Sequence, residues 1–248
     1  LGKANCAAGR GEPVEEPLGR AIALMGKGLE RNPEFAKLYS VRGLARTSLG
    51  VARMKRCEPA VDILRDAVSD MDAFLARKPG RWSVYENRAM AYTRLGLAEE
   101  AQGEDPTPRY RSALEDAERA VAGDPDSSQA YAMRASARAG LASAVEARGG
   151  DGREGYARAI ADCDAALKRA PGDALILAQQ ANARTRLAIA ENDRGLDARG
   201  TFRDAIANFD EALRIYPGLA YALSGRGKAC MLAADIETKR GGDPTALF

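Results

Sequence analysis

The sequence predicts an all-α chain of about ten helices, paired as antiparallel hairpins and stacked into a right-handed α-α superhelix. Three observations carry that expectation. Pro33, Pro79, Pro125, Pro171 and Pro217 stand 46 residues apart at every step. Two alanine columns keep register with them: Ala21, Ala67, Ala113, Ala159 and Ala205 twelve residues before, and Ala45, Ala91, Ala137, Ala183 and Ala229 twelve after. Between these marks apolar residues recur at steps of three and four, the helical period, and alternating β-branched runs are missing. A fixed period of this length marks a tandem array whose units bury their apolar faces on one another.

Each unit opens with a shorter helix. Leu18, Leu64, Tyr110, Tyr156 and Phe202 start it fifteen residues before the proline, and stripes such as Phe202/Ala205/Ile206/Phe209/Leu213 give it one apolar face. The proline closes it, since it lacks an N–H and favours an extended residue ahead of it. A longer helix then begins almost at once, because proline is tolerated near a helix start. From about Glu34 to Met54 it would run roughly 30 Å. It carries a small residue ten positions after the proline: Gly43, Ala89, Ala135, Ala181 and Gly227. It ends near Gly103, Gly149, Gly195 and Gly241, where a left-handed cap is expected; Cys57 replaces the glycine in the first copy, so that turn can differ. Asp105, Asp151, Asp197 and Asp243, two residues further on, suit the N-cap of the next short helix. The units fall at approximately 18–63, 64–109, 110–155, 156–201 and 202–247, within a single solenoid over 1–248. Residues 1–17 then form the tail of a preceding unit, and the chain is expected to be a segment of a longer array.

Composition narrows the chemistry. Of 248 residues 46% are hydrophobic but only 6% aromatic, so the core must consist largely of small side chains. Lys and Arg number 37 against 35 Asp and Glu, a balance that gives no global signal for nucleic acid or a membrane surface. Histidine is absent, which removes the commonest general base and metal ligand. Cys6, Cys57, Cys163 and Cys230 show no CxxC pair and read as thiols of a reducing compartment, hence a cytoplasmic location. No apolar stretch is long enough to span a bilayer. No catalytic, cofactor-binding or metal-ligating constellation is found, and the chain is expected not to be an enzyme.

Two polar columns vary together. Arg42, Arg88, Arg134 and Gln180 stand nine residues after the proline, and Asp70, Asp116, Asp162 and Asn208 stand 28 residues beyond them. The copy that loses the cation also loses the anion. Side-chain contact between the columns is therefore expected, with N–O distances below about 4 Å. A second periodic set, Arg56, Arg148, Arg194 and Arg240, lies near the end of the long helix, where cations complement the helix dipole.

The segments YSVRGLARTSLG (39–50), YENRAMAYTRLG (85–96), DCDAALKRAP (162–171) and NFDEALRIYP (208–217) resemble the tetratricopeptide repeat in their order of small residue, tyrosine, alanine, Ala-Leu and closing proline. The usual unit has about 34 residues, so these are long variants. The Gly-x-Asp-Pro turns are also similar to arrays attached to bacterial serine/threonine kinases. The resemblance implies a non-catalytic interaction or scaffolding module that holds peptide segments in a concave groove lined by the long helices. Mapped onto this chain, the groove comprises Asn87, Met90, Arg94, Gln129, Met133, Gln179, Asn182, Arg186 and Lys228, with Ser136 and Tyr221 beside them. Asn and Gln would bond peptide backbone, Met would accept apolar side chains, and Arg and Lys would pair with carboxylates. The Lys/Asn set with which some relatives clamp a C-terminal carboxylate is not reproduced. The expected partner is a protein or peptide, with self-association through the solenoid ends as a further route. The alternatives are a regulatory or oligomerisation region of a bacterial signalling protein and, less favoured, a nucleic-acid-binding solenoid.

Overall fold

The computed structural model describes residues 14–243, and these contain ten α-helices and no strand. Five short helices of 17 residues each, α1 (Glu15–Arg31), α3 (Val61–Arg77), α5 (Thr107–Gly123), α7 (Arg153–Arg169) and α9 (Arg199–Ile215), alternate with five longer ones. The long helices are α2 (Ala36–Lys55), α4 (Trp82–Ala101), α6 (Ser128–Glu146), α8 (Ala174–Asp193) and α10 (Ala220–Lys239), of 20 residues except for the 19 of α6. The all-helical expectation and the helix count both hold.

The prolines act in the turn rather than inside the following helix. Asn32, Lys78, Asp124, Ala170 and Tyr216, each just before a proline, have ψ between 72 and 90°, the extended setting that proline imposes on its predecessor. Two long helices gain a side-chain cap that the pattern did not single out. Ser127 accepts from the Ala130 N–H, and Asp173 accepts from Leu175 and Ile176.

The other turn follows its glycines. Gly103, Gly149, Gly195 and Gly241 have φ of 73–82°, and Cys57 takes the same left-handed conformation at 56°. A backbone bond recurs here, from Glu58 to Arg53 O (2.9 Å), Glu104 to Glu99 O (3.0 Å), Gly150 to Val145 O (3.0 Å), Leu196 to Glu191 O (3.0 Å) and Gly242 to Glu237 O (2.9 Å). The first copy thus makes the same turn despite its cysteine. The aspartates sit one position ahead of the expected N-cap: Asp105, Asp151 and Asp197 accept from the N–H two residues later, at 3.0–3.1 Å. Asp243 would act on residues outside those described.

One expectation about the cysteines is corrected. Cys57 is disulfide-bonded, while Cys163 and Cys230 are free. Spacing along the chain cannot show which exposed turn a distant thiol approaches, and cysteine content therefore no longer argues for a reducing compartment.

Packing explains the alanine columns. Ala67, Ala113, Ala159 and Ala205 on the short helices and Ala91, Ala137 and Ala229 on the long ones are fully buried. A methyl group at each crossing lets backbones approach toward the near end of the usual 8–10 Å range. Within each unit the short helices pack on neighbouring long helices, and α2 also touches α4, α6 touches α8 and α8 touches α10. The helices fall into two compact units, α1–α5 and α6–α10, divided between Pro125 and Asp126.

Candidate functional site

Direct packing of long helix on long helix identifies the inner layer of each unit. Along that layer the candidate residues recur at helical steps 4, 8, 11 and 15 after the proline, which places them on one stripe. In the α1–α5 unit the stripe holds Asn87, Met90 and Arg94 on α4, all half-buried. In the α6–α10 unit it holds Gln129, Met133 and Ser136 on α6, Gln179, Asn182 and Arg186 on α8, and Tyr221 and Lys228 on α10.

These residues do not share one role. The Gln179 amide donates to Ala132 O and Ser136 Oγ, both at 2.7 Å, and so ties α8 to α6 instead of facing a ligand. Asn182 donates to Ala178 O of its own helix at 3.0 Å. Met133 packs into the cluster formed by Ala132, Ala135, Ala159 and Cys163. Gln129 is exposed.

Arg186 and Lys228 behave differently. Both are exposed at the level of the whole residue, and neither pairs with an acid among the described residues. Lys228 has its pKa lowered, first by desolvation of its ammonium and then by the Arg186 charge. Lys228 on α10 thus feels the charge of Arg186 on the adjoining α8, and among the described residues neither has an acidic partner.

The two covarying columns spend their charges inside the fold. Arg42 meets Asp70 at 2.5 Å, Arg88 meets Asp116 at 2.7 Å and Arg134 meets Asp162 at 2.6 Å, as the covarying columns predict. Burial opposes the Arg88 charge, yet Asp116 and Asp72 outweigh it and hold the guanidinium pKa above its ordinary value. The periodic basic column is also structural. Arg194 donates to Gly150 O at 2.5 Å and Arg240 to Leu196 O at 2.8 Å, so α8 clasps the turn after α6 and α10 the turn after α8.

Three features escaped the sequence reading. Buried Glu99 accepts from Arg109 at 3.0 Å and buried Glu237 from Arg199 at 2.8 Å; with Glu191 they form a column twenty residues after the proline that could have signalled them. Tyr39, Tyr85 and Tyr131 each lie under two guanidinium groups, the nearest being Arg169 at 4.1 Å from the Tyr131 ring centre. The pocket between the C-terminal parts of α8 and α10, lined by Ile189, Leu232, Ile236 and their neighbours, contains none of the expected groove residues. Among the described residues no group of three or more Cys, Asp or Glu is placed to hold a metal ion, and no helix is long and apolar enough to cross a membrane.

Stacked antiparallel hairpins with alanine seams and a proline at every second turn define a helical-repeat solenoid. The fold is that of tetratricopeptide-repeat proteins. TTC0263, a thermophilic TPR protein of Thermus thermophilus, superposes with a TM-score of 0.50 at 18% identity, over 87% of this chain and 93% of that one. MamA aligns over 83% of this chain and 92% of its own at 17% identity, with a TM-score of 0.43. No family model matches the sequence. No curated protein matches it either.

Proposed function

We propose that the chain is a non-catalytic interaction module that takes an extended, acidic peptide segment along the inner layer of the α6–α10 unit. One observation carries the reading: Arg186 and Lys228 stand on the same stripe of the adjoining helices α8 and α10, Lys228 feels the Arg186 charge, and neither has an acidic partner among the described residues. Holding like charges together is unfavourable, and a ligand carboxylate placed between them would relieve that repulsion and form charge-assisted hydrogen bonds to both. Gln179 and Asn182 shape the wall beside them through bonds within the protein. Arg94 of the other unit supports the same chemistry, being half-buried and without an acidic partner among the described residues.

The test is an array of immobilised extended peptides, acidic, neutral and basic, probed with the 248-residue chain and with an Arg186→Ala/Lys228→Ala variant. Retention of acidic peptides by the parent chain, lost in the variant and suppressed by salt, is the expected result. Equal retention by both proteins would remove the site.

A further inference from the structure

The inner stripe of the α6–α10 unit does not end at Arg186. Its next two helical steps, 18 and 22 after the proline, are Ile189 and Asp193 on α8 and Asp235 and Lys239 on α10. These four residues line a cavity of about 260 Å³ between the two helices. Its floor is apolar: Ile189, Leu232 and Ile236 are half-buried and pack on the cluster that contains Phe202. Its rim is charged, with Asp193, Asp235 and Lys239 all exposed.

The cavity is a property of these two helices. In the α6–α8 pair the equivalent positions are polar: Ser143 stands for Ile189 and Arg186 for Leu232, and Glu146 meets Arg194 at 3.3 Å. Between α8 and α10 aliphatic side chains take those places, and both walls lie within the α6–α10 unit. An apolar cavity of roughly 150 Å³ takes a benzene ring, so this one admits the side chain of a phenylalanine. Moving such a ring off water and onto an aliphatic floor is favourable.

Position and charge say what that side chain belongs to. The cavity brings steps 18–22 of α8 against steps 15–23 of α10, so equal steps on the two helices lie at similar height. At a rise of about 1.5 Å per residue, the apolar floor lies roughly 6–7 Å beyond the Arg186–Lys228 level, and Asp193 about as far again. Two residues of an extended peptide span about 6.5 Å and return the side chain to the same face. At the far end Asp235 pairs with Lys239 at 2.7 Å, whereas Asp193 has no basic partner among the described residues. The C-terminal ends of α8 and α10 favour a cation at the same place.

We propose that the cavity takes an apolar side chain of the peptide whose carboxylate sits at Arg186 and Lys228. The peptide carries an acid, a Phe or Leu two residues away and a Lys or Arg two residues further, in either chain direction. This inference rests on the acidic-peptide reading and gives that ligand its sequence.

The probes are labelled, end-capped peptides Gly-Glu-Ser-Phe-Ser-Lys-Gly and Gly-Lys-Ser-Phe-Ser-Glu-Gly, titrated with the 248-residue chain by fluorescence anisotropy. At least one should bind saturably, and replacing its Phe by Ala should weaken it about 10-fold. Ile189→Ser, which copies Ser143 of α6, should weaken the Phe peptide as much and leave the Ala peptide almost unchanged. Asp193→Ala, which copies Ala147, should weaken binding about 3-fold, and only while the peptide keeps its Lys. Equal affinity for the Phe and Ala peptides, both lost with Arg186→Ala/Lys228→Ala, would overturn the inference and leave the acidic-peptide reading standing. No binding of either peptide up to about 1 mM would remove both. A Phe effect indifferent to Ile189→Ser would place the ring elsewhere and overturn the inference alone. So would a Phe effect that emerges only after removal of residues 244–248, or self-association of the chain that Ile189→Ser dissolves. The cavity would then belong to the chain's own last residues or to a second copy.

Discussion

The Asn208 side-chain amide donates to the Gln180 carbonyl oxygen, at the position where the other copies hold an Arg–Asp ion pair. Register between a long helix and the next short one is thus kept by two alternative chemistries, one charged and one neutral. Asp162 is 3% exposed and pairs with Arg134 and with Arg138 at 2.7 Å, so loss of one arginine leaves a buried carboxylate short of a donor. Arg134→Gln should destabilise the fold by about 1–3 kcal/mol, with Arg138 retaining part of the interaction. The double change Arg134→Gln/Asp162→Asn, which copies the Gln180–Asn208 pair, should recover at least half of that loss. Urea denaturation of both single variants and the double one closes the cycle. Strict additivity would mean that the columns do not couple.

The alanine seam gives a second outcome. Ala137 is fully buried and Ala183 is 4% exposed, each at a helix crossing with no space for a longer side chain. Ala137→Leu and Ala183→Leu should each cost about 1–3 kcal/mol by overpacking. Exposed Leu175 provides the control, since Leu175→Ala leaves the seams untouched and should change stability by less than about 0.5 kcal/mol. A midpoint shift for Ala137→Leu no larger than that of the control would show that the seam is not close-packed.

The fold was legible because every copy meets the same surroundings, so a packing requirement at one crossing repeats at the next. Ala67, Ala113, Ala159 and Ala205 report one contact, and Arg134 with Asp162 another. The candidate site was far less legible, because a stripe facing solvent carries no such repeated demand. Gln179 has the right side chain for holding peptide backbone, but Ser136 opposite is small and polar enough to take its amide inside the fold. Sequence supplies the donor without saying who accepts. Cys57 shows a related limit: its left-handed turn is copied from glycine neighbours in the column, whereas its disulfide depends on a contact that no period encodes.

Cys163 offers a probe of opening between α7 and its neighbours. It is fully buried in the cluster with Ala132, Ala135 and Ala159, and desolvation pushes its thiol pKa up to about 12. Thiolate is the reactive form, so alkylation at neutral pH requires the site to open first. Native chain treated with iodoacetamide should show no modification of Cys163 by peptide mass mapping, whereas half-buried Cys230 is modified slowly. In denaturant both should react at similar rates. Prompt modification of Cys163 in the native chain would show that the α6–α8 core opens easily.

Lys228 supplies a test in which stability and binding move in opposite directions. Its pKa is lowered by desolvation and by Arg186, so the folded chain releases this proton at lower pH than the unfolded chain does. Between the two pKa values the unfolded state binds more protons, and the free chain gains stability as pH rises through that window. An acidic peptide seated between Arg186 and Lys228 reverses the preference by stabilising the ammonium. Peptide affinity should therefore be constant near neutral pH and fall as Lys228 loses its proton, before the ordinary lysine range of about 10.4 is reached. Lys228→Arg keeps the charge throughout and should abolish the fall. Anisotropy titrations of an acidic peptide from about pH 7 to about pH 10, run on both chains, give the comparison. A parent profile as flat as that of Lys228→Arg would separate Lys228 from the bound carboxylate and leave Arg186 alone to hold it.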